Sequence, residues 1–149
     1  MKKVLLGAAV LGAIVAGSVQ AQVPADRSVV YRKAGFQMMA NHVGRISAHI
    51  KGERNLTPAQ LDLSAQVVDD MAKVLFDGFI DGTDQSANTK AKPEIWKEFA
   101  KFKEGQTKLQ GETVKLVAAA KSGDKAALQA AFGGVGGSCK ACHDTYRAQ

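Results

Sequence analysis

Four stretches of this sequence repeat apolar residues at alternating steps of three and four, and none alternates with period two. A chain patterned in this way has to bury stripes on helices rather than one face of a sheet. In ADRSVVYRKAGFQMMANHVGRISAHIKG (residues 25–52) the stripe is Val29, Arg32, Phe36, Met39, Val43, Ile46 and Ile50, with Asp26 as the expected N-cap and Gly52 as the stop. The second stretch opens NLTPAQLDLSAQ. Thr57 is placed to cap it, and Pro58 suits the first helical position, where an N–H would have no helical acceptor. Leu61, Val67, Val68, Met71, Val74, Leu75 and Phe79 carry this helix to an expected end at Gly82.

DGTDQSANTKAKP (81–93) is polar, aperiodic and long for a connection between bundle helices. A third helix is expected to start at Pro93, run through Trp96, Phe99, Phe102, Leu109, Leu116 and Ala120, and close at Ser122 and Gly123. Asp124 is placed to cap a fourth helix through Ala127, Leu128, Ala131 and Phe132. Propensity alone breaks that helix at GGVGGS, since each glycine disfavours helix by up to about 1 kcal/mol relative to alanine. With no internal repeat and no linker composition, the expected fold is all-α, a single four-helix bundle.

The segment MKKVLLGAAVLGAIVAGSVQA reads as a secretory signal peptide: two lysines, an apolar run from Val4 to Ala16 and a small-residue exit. It is too short and wrongly flanked for a lasting membrane span. Cleavage after Ala21 is expected, leaving residues 22–149 as one domain with the periplasm as its destination. Loss of Lys2 and Lys3 lowers the formal charge from +6 to +4, a modest steering field. The basic residues are interspersed with acidic ones rather than clustered with aromatics, which argues against nucleic acid as a partner.

The only two cysteines, Cys139 and Cys142, are followed at once by His143. Three chemistries compete. A disulfide suits an exported protein, but so small a loop restrains little of the unfolded chain, and the βαβ setting of a redox pair is missing. A structural zinc site needs four ligands where this cluster has three, and His42 and His49 lie on the flank of the first helix. The spacing C-x-x-C-H is that of c-type haem attachment. Residues three apart on a helix share one side, so two thiols can meet the two vinyl groups along one porphyrin edge while the next imidazole turns beneath the ring to the iron. Glycines just before the motif would let a flat ring approach the backbone. Met38, Met39, Met71, His42 and His49 are the candidates for the opposite face of the iron, where a methionine or histidine favours plain electron transfer and an empty position admits a small ligand.

YRKAGFQMMANHVGRI, KPEIW and GGVGGSCKACHDTYR, in that order, resemble the cytochrome c′ family of class II c-type cytochromes over essentially all of residues 22–149. The resemblance implies a left-handed antiparallel four-helix bundle, a fourth helix continuing through the glycines, one haem c per chain bound through Cys139 and Cys142, and a homodimer. It implies His143 as the only protein ligand to a five-coordinate, high-spin iron, with Arg147 near that proximal face and Phe36 over the vacant distal face. Arg32 matches an arginine near the haem propionates and Lys33 a polar residue contacting the haem; Lys92 is added as a second propionate partner. Phe36 is bulkier than the leucine often found there, and Phe76 stands where the family can have tryptophan.

The expected function is binding of nitric oxide or carbon monoxide together with electron transfer to redox partner proteins, and not enzymatic catalysis. The alternative is a six-coordinate, low-spin electron carrier ligated by Met39. Trp96 reads as a core or loop-anchoring residue, Asp144 as either a hydrogen-bond partner near the histidine or a solvated carboxylate, and Lys97, Lys101, Lys103 and Lys108 as a wet helix face.

Overall fold

The computed structural model describes residues 24–86 and 88–149, so the expected signal peptide lies outside the described residues. Four long helices, α1 (Ala25–Ile50), α2 (Pro58–Val74), α4 (Phe99–Ser122) and α5 (Lys125–Tyr146), form an antiparallel bundle, and α3 (Glu94–Lys97) is a single turn. Around the bundle α1 packs on α2, α2 on α4 and α4 on α5; the α1–α5 seam that closes the ring is the thinnest of these. Among the described residues no helix is long and apolar enough to cross a membrane.

At one end, where α1 turns into α2 and α4 into α5, local sequence sets the geometry. The Thr57 hydroxyl accepts from Gln60 N–H at 3.3 Å while the Gln60 side chain accepts from Thr57 N–H at 3.0 Å, a reciprocal capping box. Gly123 takes φ +70°, a left-handed conformation that a side chain would oppose. Asp124 then accepts from the N–H groups of Ala126 and Ala127 at 2.8 and 3.1 Å. The core beneath is aliphatic: Ile46, Leu61, Ala65, Val68, Leu116, Ala119, Ala120 and Leu128.

The other end departs from the sequence expectation in three places. The N-cap of α1 is Pro24, and Asp26 lies in the first turn, where its charge complements the helix dipole. Helix α2 stops at Val74 and passes into a turn of 3₁₀ helix, Leu75–Gly78, instead of reaching Gly82. Contacts from α1 explain this: the Tyr31 hydroxyl donates to Val74 O at 3.0 Å, and Gly78 seats so close that an added Cβ would lie 2.9 Å from both Arg32 Cβ and Ser28 O. Third, Glu98, at φ −128° and ψ 46°, separates α3 from α4.

Helix α5 runs unbroken through the glycines, as the resemblance implies and propensity does not. Gly134 faces the carboxylate of Glu112 on α4, the far end of a flexible side chain that can move aside. Burial of Leu128, Val135, Ser138 and Tyr146 along the same helix offsets the propensity penalty.

Candidate functional site

Cys139, Cys142 and His143 stand near the C-terminal end of α5, on one side of the helix. Both cysteines are unbridged, half-buried and packed against the core, whereas His143 is exposed. Burial pushes the Cys139 thiol up; burial and then its neighbour Cys139 push up that of Cys142. Both are therefore held as thiols, poor nucleophiles towards adventitious oxidants. Partial burial of the ring, followed by the Arg147 charge, lowers the His143 imidazole below its ordinary value, against an upward pull from Asp144. The neutral form, which is the one able to bind a metal, is favoured. Asp144 itself pairs with Lys140 at 2.5 Å on the surface.

The core beside the thiols is aromatic. Phe102 lies 5.4 Å edge-on from Tyr146 of α5, 4.9 Å from Phe79 and 5.5 Å from Phe76, between ring centroids. Phe36 of α1 meets Phe76 and Phe79 edge-to-face at 6.0 and 6.3 Å. One cluster thus joins the side of α1 that carries Phe36 to the side of α5 that carries the thiols. Met39, one turn further along α1, is only 4 % exposed within the same core.

Arg32 is the other organiser. It is 2 % exposed, and its NH1 donates to Gly78 O (3.0 Å) and Thr83 Oγ1 (2.7 Å), its NH2 to Thr83 O (3.0 Å) and Thr89 Oγ1 (2.7 Å). The guanidinium also lies 4.6 Å from the Phe79 centroid and 5.6 Å from that of Trp96. Burial lowers its pKa, yet a guanidinium stays charged at neutral pH, so among the described residues this cation is held by neutral acceptors and ring faces. Trp96 anchors the same segment by donating to Ile80 O at 3.1 Å.

The remaining sequence candidates spread out. Lys33 is exposed and lines a surface cleft with Asp26, Val29 and Ser86. The Lys92 ammonium donates to Thr145 O at 3.2 Å. Met38 is 51 % exposed. His49 serves the far end of the bundle, its Nδ1 accepting from Leu56 N–H at 3.2 Å. His42 lines a shallow surface groove with Ala34 and Met38, and Met71 packs at the α1–α2 contact beside Gly35. Sequence reading missed Thr83, Thr89 and Tyr146. Only Tyr146 carried a signal, being one helical turn after Cys142 on the buried stripe.

Two observations bear on whether a covalent haem suits these residues. The donor set of two thiols and a neutral imidazole on one helix side is the set that such a group requires. Buried polar atoms without partners, Ser138 Oγ and Tyr146 Oη, bracket the motif on α5. The residues fit. Among the described residues no three of His, Cys, Asp and Glu converge to cage a metal ion.

A family profile described as Cytochrome C′ matches residues 27–147. A cytochrome c′ of Alcaligenes xylosoxydans xylosoxydans is 42 % identical over 122 residues, 82 % of this chain and 94 % of that protein. Two solved structures from Alcaligenes xylosoxidans are each 40 % identical with a TM-score of 0.77, covering 84 % of this chain and 96 % and 97 % of theirs, respectively. One is a nitric oxide complex of a leucine-to-alanine variant of cytochrome c prime, the other a carbon monoxide complex of a leucine-to-glycine variant.

Proposed function

The chain belongs to the cytochrome c′ family, and on that premise we propose that it is a periplasmic haem protein, residues 22–149 after loss of the signal peptide, that binds nitric oxide or carbon monoxide and can carry electrons. As a member of the family it carries covalent haem c, and Cys139 and Cys142 are the only cysteines it has to hold one. Bound there, the group supplies an iron that takes a diatomic ligand or cycles by one electron. His143 would hold that iron as its only protein ligand, its imidazole pKa lowered by partial burial and then by the Arg147 charge. The family resemblance puts Arg147 near the proximal face, and its charge acting on His143 supports a role toward a ligand approaching from that side.

The observation that carries this reading is Phe36. Its ring, wedged edge-on against Phe76 and Phe79, puts a side chain with neither a ligating atom nor a hydrogen-bond donor at the position that the family resemblance assigns to the distal face. Bound oxygen would find nothing there to stabilise it, whereas nitric oxide and carbon monoxide need no such donor. That solved relatives hold both gases supports them as ligands here. Met39 is enclosed by the core, which supports its role as filler rather than sixth ligand.

Catalysis of the peroxidase kind needs a polar group free to move a proton over the iron. Arg32, the nearest candidate in sequence, commits NH1 and NH2 to four protein acceptors. Lys33 stays exposed near the same end, where it can contact the haem edge or a redox partner. Exposed Tyr31, Met38, Leu63 and Val74 on α1 and α2 support a homodimer through that face.

Carbon monoxide association with the ferrous protein tests the reading. Phe36→Ala should speed it by on the order of tenfold or more, about 1.4 kcal/mol of barrier. If instead Met39→Leu opens the iron and Phe36→Ala does not, the six-coordinate alternative holds.

A further inference from the structure

Helix α5 ends three residues after His143 with no glycine, asparagine or proline to stop it; the segment after the histidine reads DTYRAQ. Arg147 nevertheless leaves the helix in extended conformation, φ −115° and ψ 130°. The stop comes from elsewhere in the chain. Ala91 and Arg147 form an antiparallel bridge, Lys92 N–H donates to Tyr146 O at 2.9 Å, and Ala148 N–H donates to Lys90 O at 2.8 Å. The Lys92 ammonium adds a bond to Thr145 O at 3.2 Å. Two of the carbonyls that a helix end leaves unpaired are thus satisfied by one residue, Lys92, and a third, His143 O, accepts from Arg147 N–H at 3.2 Å.

Segment 89–92 is itself anchored. Thr89 Oγ1 accepts from Ala91 N–H at 3.1 Å and from Arg32 NH2 at 2.7 Å. Arg32 sits one turn before Phe36 on α1. A line of hydrogen bonds, completed by the peptide bond between Ala91 and Lys92, therefore runs from the helix bearing Phe36, through Arg32, Thr89, Ala91 and Lys92, to the turn bearing His143.

We infer that residues 89–92 are a strap that positions His143: Lys92 caps the last turn of α5, and Thr89 sets the strap's register against Arg32. Helix ends fray unless tied, and a fraying last turn would let the imidazole wander about its bond to the iron. Lys92 and Thr89 are positioning residues, acting through backbone rather than touching a ligand. The bond to Thr145 O uses one of the three donors of the Lys92 ammonium, so the capping role stands beside the propionate contact expected from sequence.

The inference rests on His143 being the iron ligand, and the test separates the two. In the haem-loaded protein, Thr89→Val keeps the side chain's shape and removes the hydroxyl, while Thr89→Ser keeps the hydroxyl. Amide hydrogen exchange at Lys92 and Ala148 reads the strap; the iron–histidine stretching band of the ferrous protein, by resonance Raman, reads the imidazole. Thr89→Val removes both hydrogen bonds that the hydroxyl accepts, so protection at both amides should fall at least about fivefold, the equivalent of one of the two, and the band should shift and broaden. Thr89→Ser should restore both. Unchanged protection, an unchanged band in a strap that has loosened, or a serine variant that behaves like valine would each overturn the proposal. Absence of the band from the unsubstituted protein would instead contradict the ligand assignment, while exchange at the two amides would still decide whether Thr89 holds the strap.

Discussion

The two ends of this bundle are built on different principles. At the end of the 51–57 and 123–124 turns, helices are started by their own side chains, Thr57 and Asp124, over an aliphatic core. At the other end, α1, α3 and α4 start at Pro24, Pro93 and Glu98 with no side-chain cap, and Phe36, Phe76, Phe79, Phe102, Trp96 and Tyr146 crowd the interior. Helix ends there are held by long-range bonds: Tyr31 to Val74, Arg32 to the 78–89 segment, Lys92 to α5. The first end is set by neighbours in sequence; the second waits on residues some 40 to 60 positions away, and on the haem.

The largest effect that can break this comparison is removal of the haem. Cys139→Ala with Cys142→Ala should abolish the covalent haem mass in intact-protein mass spectrometry. Amide protection should then fall at Phe102 and Tyr146 and persist at Val68 and Leu116; uniform loss would mean that the two ends are one unit. Next in size is the contrast of side chains. Phe102→Ala should destabilise by about 3–5 kcal/mol in urea titration, as a buried ring touching Phe76, Phe79, Phe99 and Tyr146. Thr57→Ala should cost only about 1 kcal/mol, since one capping box is local.

The smallest effect is one of pH. Burial, then Arg45, lowers the His42 imidazole below its ordinary value, so the unfolded chain binds the proton more readily. This contribution to stability is complete above the ordinary histidine value of about 6.5 and is lost as pH falls through the folded value. For the haem-free chain the urea midpoint should drop between about pH 7.5 and about pH 5, and His42→Gln should reduce that drop.

The same division explains what the sequence made legible. Thr57, Pro58, Gly123 and Asp124 carry their instructions within a few residues and were read correctly, as was the bundle itself. Asp26 was misplaced because an acid in the first turn and an acid at the cap look alike in a string. The end of α2 was misjudged because Tyr31, Arg32 and Gly78 decide it across 43 to 46 residues. In the site, the C-x-x-C-H spacing announces its chemistry, and Phe36 stood out through the family resemblance. Thr83 and Thr89 did not, since a threonine in an aperiodic loop has no pattern to betray a buried arginine waiting for its hydroxyl.

We propose an iron open on the side of Phe36. The visible absorption spectrum of the haem-loaded protein, reduced with dithionite and then exposed to carbon monoxide, tests it most directly. A broad high-spin ferrous spectrum that changes on adding the gas is the predicted result. Sharp α and β bands that the gas leaves unaltered would contradict it and would place a sixth ligand, Met39 first among the candidates, on the iron.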